Sequence, residues 1–229
     1  MTPVGSPQTI TEHIHTILPT LPSSVTLIAV TKFFPAEVVR VAYGAGVRHF
    51  GESRVQEGIQ KQTELEDLSD ITWHLIGHLQ SNKVRKAVEH FQWIHSVDSL
   101  KIAKKIDQAA AELKVRPQCC LQVKMVPDPP KFGFDADQLD QVLPELDQLT
   151  HLQIRGLMTI PPLGTPEPEV EAIFAEAAAL AKRINQQGLH TIAIDQLSMG
   201  MSGDYESAIA AGATMIRLGT VLFGPRPQN

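Results

Sequence analysis

Leu27-Ile28-Ala29-Val30-Thr31-Lys32 is an apolar, partly β-branched run that ends on a lysine and is followed at once by Phe33-Phe34-Pro35. A run of this length, closed by a proline, reads as a buried strand leading into a helix. The lysine then stands at the strand's C-terminal tip, over a barrel mouth or a sheet crevice. An ammonium there loses hydration, which favours the neutral amine, a nucleophile toward an aldehyde. The alternative is a lysine that simply ends a strand and reaches into water. The stretch by itself does not separate the two, so the rest of the chain has to.

Upstream, Ile10, Ile14, Ile17 and Leu18 share one face of a helix over 8–18 that Pro19 ends. Downstream, apolar runs at 47–51, 72–77, 91–97, 118–125, 152–160, 191–198 and 214–223 alternate with helical segments. The helices are expected over 35–43, 55–68, 84–89, 99–113, 136–149, 168–187 and 204–211. Strict alternation argues a parallel sheet with right-handed crossovers. Eight strands favour closure into a single (β/α)8 TIM-type barrel over 1–229, the N-terminal helix standing in for the one missing after the last strand. An open doubly wound sheet is the weaker choice, because Lys32 and two phenylalanines stand where a Gly-x-Gly-x-x-Gly turn would follow the first strand. In a barrel, groups that do chemistry lie at the C-terminal ends of strands. Lys32, Glu52-Ser53, the loop from His78, Met158-Thr159 and Ser198-Met199 all meet that condition.

The 229 residues are 43% hydrophobic and 20% charged, enough for one well-buried core. A net charge of −5, with the 20 Lys and Arg scattered, gives no sign of a nucleic-acid or acidic-membrane partner. Cys119 and Cys120 are adjacent, a spacing that makes neither a disulfide framework nor a four-ligand metal site. They read as buried strand residues in a reducing compartment. Residues 1–10 show no secretory pattern and nowhere do 18 apolar residues run together, so a cytoplasmic protein is expected. His74 and His78 have an i, i+4 spacing, but on a strand and loop rather than a helix, so no metal pair is expected.

Two later stretches suggest an anion. Leu197-Ser198-Met199-Gly200-Met201-Ser202-Gly203-Asp204 joins the seventh strand to a short helix, whose start offers unpaired N–H groups. Ser198 or Ser202 can add a hydroxyl; an ordinary capped turn with Ser202 or Asp204 as N-cap is the competing reading. Ile216-Arg217-Leu218-Gly219-Thr220 ends the eighth strand with an arginine and a Gly-Thr pair. Loops after strands seven and eight are where such barrels commonly hold a phosphate.

The chain resembles the pyridoxal phosphate homeostasis protein family, a single-domain relative of the barrel of alanine racemase. The matching stretches are Ala29-Val30-Thr31-Lys32, 49–57 from His49-Phe50-Gly51-Glu52, 73–83 from Trp73-His74-Leu75-Ile76-Gly77, Lys131-Phe132-Gly133-Phe134, Gly156-Leu157-Met158, Leu197 to Ser202 and Ile216 to Thr220. The resemblance implies a pyridoxal phosphate (PLP) fold of type III without the racemase's C-terminal β domain. It implies PLP held covalently on Lys32 as an internal aldimine, its phosphate held by Ser198, Gly219 and Thr220, with Arg217 facing the pyridine nitrogen. Ser53, Met158 and Met199 complete the expected cofactor-binding set; serine stands at 53 where the family usually has asparagine.

The chemistry of Arg217 points the same way without the family. A guanidinium keeps its proton, so it leaves the ring nitrogen unprotonated and the cofactor a poor electron sink. Racemization also needs a second base, a tyrosine from a further domain in alanine racemase, for which a chain ending at Asn229 has no room. The two tyrosines here, Tyr43 and Tyr205, are not expected at strand tips. The leading expectation is therefore a monomeric, cytoplasmic PLP-binding homeostasis protein without catalytic residues, serving PLP-dependent apoenzymes as possible partners. The alternatives are a weak PLP-dependent racemase and a sugar-phosphate barrel with Lys32 as Schiff-base former.

Overall fold

In the computed structural model, residues 5–128 and 131–225 are described. Residues 1–4 and 226–229, the two ends of the expected 1–229 domain, lie outside that set. Ser6 opens α1 (Pro7–Ile17): its hydroxyl accepts from the Thr9 N–H, and Pro7 takes the first helical position, where an N–H is not needed. Ile10, Ile14 and Ile17 then share the buried face.

The chain continues through β1 (Thr26–Val30), α2 (Ala36–Gly44), β2 (His49–Glu52), α3 (Val55–Glu64), β3 (Thr72–Leu75), α4 (Val84–His90), β4 (Trp93–Val97) and α5 (Leu100–Leu113). The second half runs β5 (Gln118–Lys124), β6 (Phe134–Asp135), α6 (Ala136–Leu146), β7 (Gln153–Met158), α7 (Glu167–Gln186), β8 (Ile192–Ser198), α8 (Tyr205–Ala210), β9 (Met215–Leu218) and α9 (Thr220–Phe223). All strand pairings are parallel. β1 pairs with both β2 and β9, and β4 with β5, so eight strands close on themselves in the order 1-2-3-4-5-7-8-9. This is the expected (β/α)8 barrel.

Three local readings differ from it. The apolar run 214–223 is not one strand: β9 stops at Leu218, and Gly219 bends the chain into the one-turn α9, where the Leu222 and Phe223 N–H groups both return to the Gly219 carbonyl. A short buried helix and a buried strand are equally apolar, so periodicity had nothing to separate them. Secondly, β6 was not anticipated. It is a two-residue spur pairing with Val123 and Lys124 at the end of β5. Thirdly, β1 ends at Val30, so Lys32 belongs to the turn beyond the strand.

Strand alternation divides the interior in two. Residues facing outward from the sheet meet the helices in the main core, from Ile10 and Phe34 to Phe174 and Phe223. Inside the barrel lies a small apolar layer of Ile28, Trp93, Cys120, Met158 and Met215. Both cysteines are buried free thiols, with Cys120 pushed up to about 12 chiefly by burial. No helix among the described residues is long and apolar enough to cross a membrane.

Candidate functional site

A cavity of about 270 Å³ opens at the C-terminal mouth of the barrel. Val30, Lys32, Ile76 and Ile160 line one part of it, and Met201, Ser202, Gly203, Arg217, Gly219 and Thr220 the other. Its size is near the lower end for small-ligand pockets. Residues from the tips of β1 and β9 and from the loop after β8 thus converge, as parallel barrels require.

Lys32 is half-buried between two anchored neighbours. On one side Thr31 is fully buried: its hydroxyl donates to Glu52 Oε1 at 2.6 Å, and its carbonyl accepts from Lys61 Nζ at 2.7 Å. On the other, the Phe33 N–H donates to Glu57 Oε1 at 2.6 Å. Phe33 holds φ at +70°, a region that costs a non-glycine residue on the order of 1–3 kcal/mol. Lys61 closes the arrangement with ion pairs to Glu52 at 2.6 Å and Glu57 at 2.9 Å. Burial pushes the Glu52 carboxyl up from its ordinary value, against the opposing pull of Lys61 and Thr31. A strained turn carrying the lysine is in this way tied down at both ends by one buried ionic cluster.

Arg217 forms the inner wall. It is only 5% exposed, yet among the described residues no carboxylate forms an ion pair with it. Its Nη1 donates to Ser198 Oγ at 2.8 Å and its Nη2 to the Thr159 carbonyl at 3.1 Å, both neutral acceptors. Burial brings the guanidinium down to about 10, which still leaves it charged at neutral pH. A buried cation with neutral partners, bordering an open cavity, is a place for a ligand that brings negative charge or a lone pair.

The loop after β8 is shaped by Gly200 at φ +92°, where a Cβ would lie 2.6 Å from that of Ala208. Beyond it, Ser202 Oγ accepts from the Gly219 and Val221 N–H groups, each at 3.3 Å, joining the β8 and β9 loops. The sequence left open whether Ser198 or Ser202 faces the anion. Ser202 lines the cavity, whereas Ser198 is fully buried beneath it, its hydroxyl shared between Arg217 and His95.

Of the residues expected in the site, Lys32, Arg217, Gly219 and Thr220 come together on this cavity. Ser53, Met158, Ser198 and Met199 are not part of its lining. Met158 packs in the barrel's inner layer and Met199 in the main core. Ser53 is half-buried, and its carbonyl fills the space that a side chain on Gly77 would need. Neither tyrosine borders the cavity: the Tyr43 hydroxyl donates to Asp70 at 2.5 Å, and Tyr205 starts α8. His74 and His78 do not share a site either. His74 is inside the barrel, 10° from parallel with the Trp93 ring, while His78 pairs with Asp98 outside.

Thr31, Lys61, His49 and His95 were not anticipated. A usable signal existed for the histidines: period-two spacing puts His49 with Gly51, His95 with Trp93 and Arg217 with Met215 on one strand face.

The family model of the alanine racemase N-terminal domain matches residues 6–227. The chain belongs to this family and, within it, to the pyridoxal phosphate homeostasis proteins. It is 53% identical over 210 residues to the pyridoxal phosphate homeostasis protein of Synechocystis sp., covering 92% of this chain and 95% of that one. The Escherichia coli K12 protein of the same name is 41% identical over 211 residues, covering 91% and 88%. PipY of Synechococcus elongatus PCC7942, solved with PLP bound, superposes with a TM-score of 0.90 at 54% identity, covering 94% of this chain and all of that one. An alanine racemase from Clostridium difficile 630 shares the fold alone, at 19% identity and TM-score 0.77.

Proposed function

We propose that this chain binds pyridoxal 5′-phosphate, held covalently as a Schiff base at Lys32, and serves intracellular PLP and amino-acid homeostasis rather than catalytic turnover. The observation that carries this reading is the convergence of Lys32, Arg217 and the Gly219-Thr220 loop on one cavity. The relatives named above support it: PipY was solved with PLP bound, and the proteins from Synechocystis and E. coli are named for homeostasis, not for an enzyme activity.

When bound, PLP supplies an aldehyde that condenses with amines and a ring whose strength as an electron sink depends on its nitrogen. The residues present suit that group. Lys32 supplies the amine, Arg217 a donor that leaves the ring nitrogen unprotonated, and Ser202, Gly203, Gly219 and Thr220 the polar loops for the phosphate. Ser198 and Met158 act from behind the wall, with Met199 and Ser53 outside it, as packing and support. The free, buried Cys119 and Cys120 suit a reducing cytoplasm. The protein works as a monomeric unit over 1–229 that exchanges PLP with PLP-dependent apoenzymes.

The absorption spectrum of purified protein tests the reading: a yellow, borohydride-reducible chromophore is expected, and a colourless protein that stays colourless with added PLP would refute it. Arg217→Ala is expected to lose PLP on dialysis markedly faster than wild type, since a charge-assisted contact contributes on the order of 1.5–3 kcal/mol. Thr220→Ala should show a smaller loss, because the backbone N–H can serve there. Equal retention by Arg217→Ala and wild type would remove Arg217 from the site.

Incubation with L-alanine and other amino acids in deuterated water is expected to give a slow spectral shift without turnover. General acid–base catalysis is worth roughly 10²–10⁴ in rate, and neither tyrosine stands at the cavity to supply it. Deuterium incorporation at Cα over many turnovers, lost in Lys32→Ala, would establish an enzyme instead.

A further inference from the structure

Five side chains from five different strands form one continuous hydrogen-bonded line through the barrel. His49 Nδ1 lies 3.0 Å from His74 Nε2, His74 Nδ1 lies 2.8 Å from His95 Nε2, and His95 Nδ1 lies 2.8 Å from Ser198 Oγ. Arg217 Nη1 completes it at 2.8 Å from the same oxygen. His74, His95 and Ser198 are fully buried, while His49 is half-buried and begins β2, at the barrel's N-terminal end. The line therefore spans the interior from the opposite face to the cavity wall. The rings are linked in series, each nitrogen in the line engaged with its neighbour, so they do not converge on a common point as metal ligands do.

The direction of the line follows from its Arg217 end. Arginine has donors only, so Ser198 Oγ must accept there. If the serine proton then goes to His95 Nδ1, every donor in the line has an acceptor: His95 gives its Nε2–H to His74 Nδ1, and His74 gives its Nε2–H to His49 Nδ1. In the reverse direction His95 would donate to Ser198, and the serine proton would have no partner along the line in a fully buried setting. A buried donor left unsatisfied keeps the full penalty of its desolvation, which selects the first arrangement. All three rings must also be neutral for the line to be complete. Burial drives His74 well below its ordinary value and His95 down to about 3, the latter helped by the Arg217 charge.

We propose that His49, His74 and His95 form a directed string, each ring the Nε2–H tautomer, that orients the Ser198 hydroxyl and through it positions Arg217 at the cavity. Ser198 and the three histidines are then positioning residues, and the string's task is to hold a guanidinium that no carboxylate pairs with in one orientation toward the ligand. This rests on the PLP reading for the ligand's identity but not for the string itself.

The test has two arms. Two-bond ¹H–¹⁵N spectra of ¹⁵N-histidine-labelled protein without added ligand, at neutral pH, are expected to show His49, His74 and His95 as neutral Nε2–H tautomers. Any of the three as the Nδ1–H tautomer or as imidazolium would overturn the direction, whether or not PLP binds. In the second arm, PLP is titrated into His95→Asn and His95→Gln. Asparagine places an oxygen near the site of Nδ1 and keeps an acceptor for Ser198, whereas glutamine keeps a group beside His74 and loses that acceptor. His95→Asn should stay within about threefold of wild type, while His95→Gln should bind about tenfold more weakly. Equal weakening in both, or weakening in His95→Asn alone, would show that His95 does not act through Ser198. Failure of wild type to bind PLP would refute the functional proposal and leave the tautomer spectra to decide the string.

Discussion

Lys32→Ala is expected to abolish the borohydride-reducible chromophore completely while leaving the thermal melt close to that of wild type. Lys32 is half-buried at the edge of the cavity rather than in either core, and substitutions away from packed positions change stability by about 0.5 kcal/mol or less. The Thr31 hydroxyl, the Thr31 carbonyl and the Phe33 N–H anchor the turn to Glu52, Lys61 and Glu57, and the substitution leaves these three contacts in place. Loss of the chromophore with retention of fold is therefore the signature of a removed covalent anchor. Borohydride reduction followed by peptide mapping should place the pyridoxyl group on Lys32; finding it on Lys83 or Lys124 would sink the assignment.

Lys61→Met is expected to be the most damaging single change among the polar residues near the site. Lys61 is 4% exposed and Glu52 0% exposed, and the substitution leaves the Glu52 charge in the interior without its cation. Breaking a buried pair from one side typically costs about 3–5 kcal/mol. The pH dependence has a definite sign. Burial already raises the Glu52 carboxyl in the native protein, and Lys61 is the main influence that opposes the rise. Without Lys61 the native value climbs further above the unfolded one, so the folded variant binds its proton more tightly than the unfolded chain. That contribution favours folding at pH values below the unfolded carboxyl's own pKa and is lost as pH rises through the raised native value. The deficit of Lys61→Met relative to wild type should accordingly shrink as pH falls from neutral toward the unfolded carboxyl's own range, as denaturant melts at each pH would show. Glu52→Gln in the Lys61→Met background should recover part of the loss at neutral pH, because a neutral amide needs no counter-ion. A deficit that stays constant across this range would mean that Glu52 is not what Lys61 compensates.

The sequence by itself determined those features whose cause is local. Short, near-continuous apolar runs separated by helical segments pointed to the eight closed strands, since a parallel strand buried on both faces has to be apolar over its length. Lys32, Arg217, Gly219 and Thr220 were legible as candidate site residues because each lies near or just beyond the end of a strand, and a parallel barrel carries all such ends to one mouth. Only the tertiary structure decided what depends on neighbours from elsewhere in the chain. Whether 219–223 continues the strand or turns into α9 rests on backbone hydrogen bonds, not on composition. The places of Ser198 and Ser202 also follow from the tertiary structure, the first lying under Arg217 and the second in the loop beside Gly219. Lys61 looked like one more polar residue of α3 until the crossover laid that helix over the end of β2 and brought its amine to Glu52. The three histidines are separated by 21 and 25 residues, and nothing in their own segments brings one to the next. Barrel closure and strand register do that, because they fix which inward-facing side chains of neighbouring strands lie within reach of each other.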